Sequence, residues 1–164
     1  MSVNGQAPPP LHLWEPDYCG EIDMVIKKDG TWVHDGVPIK RKEIWQLFAG
    51  ILRREDCGEY FLVTPVEKCL VKVELHPLII IDINSEVIDG KESLFASLNS
   101  GGDVRISRRY PIELEPRAGG AAFIVLDNGL TALCSRATWY RLVAQSEEDC
   151  TVTSAGIRFP LLPQ

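Results

Sequence analysis

The chain has 164 residues, 45% of them hydrophobic and 24% charged, with a formal net charge of −6 at pH 7. A chain of this length buries roughly 70% of its unfolded surface, so it forms a core without disulfide or metal staples, and its composition excludes wholesale disorder and fibrous classes. The acidic balance argues against a nucleic-acid polymer as partner, because that backbone selects a basic surface, although a local basic spot can still hold one small anion.

In chain order, residues 1–13 are polar and proline-rich and predict a flexible lead, with neither the basic start nor the apolar stretch of a secretory signal. A first half spans residues 14–76. Within it, 22–26, the Asp29-Gly30 pair and 31–34 have the strand, turn, strand pattern of a β-hairpin. From 40 to 54, Ile44, Leu47, Phe48, Ile51 and Leu52 fall at i, i+3, i+4, i+7 and i+8, which predicts one long amphipathic helix closed by Gly58. Strands follow at 60–64 and at 66–75, where Cys69, Val71, Val73 and Leu75 alternate with Lys68, Lys72 and Glu74. His76-Pro77 interrupts the pattern and marks the boundary between halves.

The second half, 77–164, opens on the apolar run 78–83. Short strands at 94–98, 104–108, 111–115 and 122–126 are separated by Asp89-Gly90, Gly101-Gly102 and Gly119-Gly120, a spacing that predicts antiparallel pairing. Asn128-Gly129 leads into 130–134, and a helix over 135–145 carries Trp139, Leu142 and Val143 on one face with Ser135 as its N-cap. The expected fold is α+β: two related halves, each an antiparallel sheet with one helix. No apolar run is long enough to cross a bilayer.

The halves share more than composition. Residues 39–49 lay over 134–144 with Arg41 and Arg136, Trp45 and Tyr140, Leu47 and Leu142, and Ala49 and Ala144 in register, each block preceded by a turn pair and followed by Gly58…Phe61 or Gly156…Phe159. Duplication creates an interface between copies, and such interfaces commonly hold ligands. Arg41 and Arg136 are therefore the leading candidates, since a guanidinium fork at a helix start suits phosphate or carboxylate. The competing reading is a structural ion pair, Arg41 with Asp23 or Glu67. Thr64, Glu67 and Lys68 surround a proline break where side chains can converge, or form a solvated strand edge. Trp32 and Tyr140 are candidates for stacking on a base, whereas Trp139 belongs to the apolar stripe.

Other chemistry finds little support. His12, His34 and His76 are scattered, no phosphate-binding glycine loop or nucleophile elbow is present, and no cofactor or metal is expected. The five cysteines, Cys19, Cys57, Cys69, Cys134 and Cys150, include no C-x-x-C pair and point to reduced thiols in a cytoplasmic protein, with exposed Cys57 disfavoured as a redox sensor by its acidic neighbours. Asp23 and Glu67 could serve as acid and base only if the fold brings them together.

The ordered blocks Cys19-Gly20-Glu21-Ile22-Asp23-Met24, Asp29-Gly30-Thr31-Trp32, Gly36-Val37-Pro38-Ile39-Lys40-Arg41, Leu62-Val63-Thr64-Pro65-Val66-Glu67-Lys68, and Ser135-Arg136-Ala137 through Tyr140 and Leu142 resemble the bacterial domain-of-unknown-function family 1285. The chain departs from that pattern at Ser135, where Asn commonly precedes the Arg, and at Tyr110, where a His-Pro pair is usual. The resemblance implies a duplicated core, a C-terminal half similar to pleckstrin-homology folds, and a nucleotide-like ligand between the halves, with a role in signalling. The expected function is a non-enzymatic regulatory module binding a small anion through Arg41, Arg136, Lys68, Glu67, Asp23, Trp32, Thr64 and Tyr140. The alternatives are a protein-interaction module without a small ligand, and a hydrolase using Asp23 and Glu67.

Overall fold

The computed structural model describes residues 9–164. Two compact units are present, one running to Pro77 and including Asp127–Leu130, the other formed by Leu78–Leu126 and Thr131–Gln164.

In the first unit, β1 (Tyr18–Ile26), β2 (Trp32–His34) and β3 (Val37–Pro38) form an antiparallel meander, and β4 (Leu52–Arg54), β5 (Tyr60–Val63) and β6 (Lys68–Val73) form another. Parallel pairing of β1 with β6 joins them into one sheet of order β3-β2-β1-β6-β5-β4. Met24, Ile26, Leu52, Leu62 and Val71 supply a buried face. The short helix α1 (Lys42–Ala49) connects the meanders, and its Phe48 stacks on Trp32 with ring centroids 6.3 Å apart and planes 24° apart.

The helix expected over 40–54 is thus half that length. Gly50 ends it, its amide donating to the Gln46 carbonyl at 3.1 Å. Leu52, which has helical spacing, is fully buried in β4 opposite Leu62. A strand partner and a core position outweigh three further residues of helix, because most helical stability comes from packing. The flexible lead expected to residue 13 also changes. Residues 1–8 of it lie outside the described residues, but Leu11–Leu13 form a turn of 3-10 helix in which Leu11 is buried.

The second unit repeats the sheet plan. β7 (Leu78–Ile88), β8 (Lys91–Leu98) and β9 (Asp103–Arg105) form one meander, β10 (Ile112–Glu115), β11 (Ala121–Val125) and β12 (Thr131–Cys134) the other, and β12 pairs parallel with β7 to give the order β10-β11-β12-β7-β8-β9. Asp89 and Gly90 close the β7–β8 hairpin with φ of 49° and 75°, the left-handed pair a two-residue turn needs. Helix α2 (Arg136–Ala144) follows β12, and a separate ribbon of β13 (Thr151–Ser154) and β14 (Ile157–Pro160) ends the unit. The ribbon is fastened by Ser154, whose hydroxyl accepts from the Leu94 amide at 2.8 Å and donates to the Ile106 carbonyl at 2.6 Å, all buried.

The protein is therefore α+β with two related halves. Each sheet is mixed rather than wholly antiparallel, since its central pair runs parallel. The two repeats are also offset. By sheet topology β1 corresponds to β7, which puts α1 between meanders and α2 after them. By sequence, hairpin, helix and hairpin recur as β1–β2, α1, β4–β5 and as β11–β12, α2, β13–β14.

Candidate functional site

In the second unit, the opening of α2 is built by local rules. Ser135 caps it, its hydroxyl accepting from the Thr138 amide at 3.2 Å and donating to the Thr138 hydroxyl at 2.8 Å. The Ser135 amide donates to the Ile80 carbonyl at 3.0 Å, fixing the helix start on the central strand. Further along, Arg141 binds the Asp82 carboxylate and donates to the Ile83 carbonyl at 3.0 Å. The Arg141 hydrogen bond to Asp82 holds that carboxyl below its ordinary range.

On this anchored helix Arg136 is the first residue and Tyr140 lies one turn on. Arg136 Nε donates to the Tyr140 hydroxyl at 3.0 Å, and its guanidinium carbon sits 5.5 Å from the ring centroid. Both side chains are exposed. The bond uses Nε, and the terminal nitrogens of the fork have no partner among the described residues. First-turn amides lack intrahelical acceptors and carry the positive end of the helix dipole, so the same spot offers a fork, free N–H groups and a favourable field for an oxyanion.

The first unit distributes its candidates differently. Arg41 is the N-cap of α1, exposed, with no side-chain capping bond, and it forms no ion pair with Asp23 or Glu67. Lys40 and Lys42 beside it are exposed as well. Thr64 and Glu67 share one tight turn: the Thr64 hydroxyl accepts from the Glu67 amide at 3.1 Å, and the Thr64 amide donates to the Glu67 carbonyl at 2.9 Å. Thr64 therefore shapes the β5–β6 connection. Trp32, expected to stack on a base, is 1% exposed under Phe48, and both ring faces are committed to the core. Its indole Nε1 has no hydrogen-bond partner among the described residues.

Lys68 is engaged elsewhere than with Thr64 and Glu67. Its ammonium binds Glu55 Oε1 at 2.5 Å and lies 4.8 Å from the Phe61 ring centroid. Glu55 also meets Arg53 Nη2 at 3.5 Å, and the Lys68 hydrogen bond keeps the Glu55 carboxyl below its ordinary range. Arg53 is 9% exposed and donates through Nη1 to the carbonyls of Leu11 at 2.9 Å and Trp14 at 2.8 Å. This buried network escaped sequence reasoning. The one available signal was an Arg directly following Leu52 in a short apolar alternation, too weak to distinguish a buried guanidinium from an exposed one.

Asp23 and Glu67 do not meet. Asp23 lies in β1 between Glu21, opposite Leu70, and Val25, opposite Lys72, so it sits near the level of Val71, four residues from Glu67. That is about 13 Å of strand, well beyond hydrogen-bond reach. Among the described residues no group of three or more His, Cys, Asp or Glu is arranged to hold a metal, and no helix is long and apolar enough to cross a membrane.

Comparison with known proteins follows the same division. Residues 9–75 match the N-terminal domain of DUF1285, a domain of unknown function, and residues 77–161 match the C-terminal domain of DUF1285, described as a protein of unknown function. The crystal structure of a DUF1285 family protein from Silicibacter pomeroyi DSS-3 superposes with a TM-score of 0.86 at 34% identity, covering 98% of this chain and 91% of that one. A DUF1285 family protein from Shewanella baltica OS155 gives 0.62 at 29% identity, covering 77% and 94%. No curated protein matches the chain.

Proposed function

The chain belongs to the DUF1285 family, and from that premise we propose that it is a non-enzymatic regulatory module that binds a small anionic, nucleotide-like ligand, with Arg136 as principal anchor. The observation that carries this reading is the Arg136–Tyr140 pair. One edge of the guanidinium is held by the Tyr140 hydroxyl at 3.0 Å while the rest of the fork stays open at the start of α2. Orienting the fork before binding lowers the ordering cost of recognition. The exposed Tyr140 ring gives an adjacent surface for a base. Arg41, with Lys40 and Lys42 around an α1 start that has no side-chain cap, offers a second basic point in the first unit. A cytoplasmic setting and a signalling role belong to the same proposal.

The test is calorimetric titration of wild type, Arg136→Ala, Tyr140→Ala and Arg41→Ala with nucleoside mono-, di- and triphosphates and with pyrophosphate. Binding by wild type that weakens about tenfold or more in Arg136→Ala, equivalent to about 1.4 kcal/mol, supports the reading. Identical affinities in wild type and Arg136→Ala refute it.

A second reading, a protein-interaction module, rests on α1. Leu47 is 69% exposed and Ile44 is exposed beside it, apolar surface on a helix that buries little more than Ala49. A pleckstrin-homology-like C-terminal half would suit that role too, presenting a sheet edge or helix to a peptide. Loss of a captured partner on Leu47→Glu, with anion binding absent from wild type, would favour this reading over the first.

A further inference from the structure

We propose that Cys19 and Cys69 form a reversible thiol–disulfide pair across the central seam of the N-terminal sheet. Along β1 and β6, Tyr18 pairs with Lys68 and Gly20 with Cys69, so two steps on one strand match a single step on the other. Cys19 is the extra residue of that bulge, and in a bulge two residues of one strand together oppose one residue of its partner. Cys19 and Gly20 thus face Cys69 jointly. Gly20 carries no side chain, has φ +117°, and would meet nothing within 4 Å if a Cβ were added, so the ground beside Cys69 is open. Neighbouring strands run about 4.8 Å apart, and disulfides bridge Cα separations of about 4.4–6.8 Å.

The chemical roles are unequal. Cys19 is exposed, its thiol donating to the Asp17 carbonyl at 3.3 Å, whereas Cys69 is half-buried, and both are free thiols. Burial first, then the Glu67 carboxylate, then Cys19 itself push the Cys69 thiol up, which is consistent with the two sulfurs being neighbours. Cys19 is therefore the attacking thiol and Cys69 the resolving one. The oxidant is a low-molecular-weight disulfide of the glutathione type. Cys19 loses its proton to solvent, its thiolate attacks one sulfur of that disulfide, and a mixed disulfide forms as one small thiolate leaves. Cys69, deprotonated in turn, attacks the Cys19 sulfur, the protein disulfide forms, and the second small thiolate departs. The two protein thiols lose two electrons and one small disulfide becomes two small thiols.

Among the other cysteines of the first unit, Cys57 lies in the β4–β5 turn beside Glu59 and has no such partner. In the second unit Cys134 is buried, and burial pushes its thiol up to about 12, which makes it inert at neutral pH.

The full chain is equilibrated without denaturant in graded mixtures of oxidised and reduced glutathione, quenched with acid, alkylated and mapped by mass spectrometry. The expected product is a peptide pair joined through Cys19 and Cys69, two hydrogens lighter than its reduced parts, reversed by excess reduced glutathione and unaffected by Cys57→Ser. Cys69→Ser is expected to stop at a glutathione adduct on Cys19. Wild type that accumulates the Cys19 adduct while Cys69 stays alkylatable, or that links Cys19 to other cysteines as readily as to Cys69, overturns the proposal.

Discussion

Leu47 and Leu142 occupy the same position of the sequence repeat, and the structure predicts that they differ severalfold in what they contribute. Leu142 is 1% exposed beneath α2, and truncating such a side chain to Ala costs about 2–5 kcal/mol through lost transfer energy and the cavity left behind. Leu47 is 69% exposed, so less than a third of its surface is withdrawn from water. A third of the roughly 2 kcal/mol for full burial is about 0.7 kcal/mol, and Ala's better helix propensity recovers a little of it. Leu47→Ala should therefore cost about 0.5 kcal/mol and Leu142→Ala about 3 kcal/mol. Urea titration read by pulsed hydrogen exchange on peptides of α1–β4 and α2–β7 follows each unit separately, and with m near 1.5 kcal/mol per M the Leu142 midpoint should fall by about 2 M. Costs that agree within about 1 kcal/mol would show that equivalent sequence positions pack equivalently, and would refute the reasoning.

Two further outcomes follow from the buried network. Arg53→Met keeps the hydrophobic stem but leaves the Trp14 carbonyl without its donor and takes one donor from the Leu11 carbonyl and one cation from Glu55, and should destabilise the N-terminal unit by about 3 kcal/mol, with faster amide exchange over residues 9–14; a loss under about 1 kcal/mol in urea titration would contradict the assigned role. Because the Lys68 hydrogen bond depresses the Glu55 carboxyl in the folded chain, its contribution is complete above the ordinary value of 4.5 and disappears as pH falls through the lower folded value. The stability gap between wild type and Glu55→Gln should accordingly be flat near neutral pH and close on acidification below 4.5, whereas a gap that widens there would reverse the sign of the coupling.

What the sequence disclosed was mainly local. Ser135 announced α2 because a cap is a contact between residues three apart, and turn pairs such as Asp89-Gly90 located hairpins because their backbone geometry excludes most other residues. The length of α1 was hidden because Ile51 and Leu52 satisfy a helical period while β5 claims Leu52 for a strand. Parallel pairing of β1 with β6, and of β7 with β12, joins segments tens of residues apart, and no local pattern encodes such a register. At the candidate site, Arg136 and Tyr140 sit four apart on one helix, so their meeting followed from periodicity. Lys68 chose Glu55 over Thr64 and Glu67, and Trp32 turned inward, through strand contacts that only the assembled sheet defines.

The parallel seams also constrain how the protein comes into being. In each six-stranded sheet the two central strands are the first and the last of that sheet to be synthesised, so the middle of the sheet is completed only after its flanks. A nascent chain that has made β1 to β3 presents β1 as a bare edge until β6 emerges, and β7 waits for β12 in the same way. Such long-range closure slows folding and prolongs exposure of an adhesive strand. Any delay between the emergence of β1 and β6, or of β7 and β12, lengthens the time that edge stays unpaired.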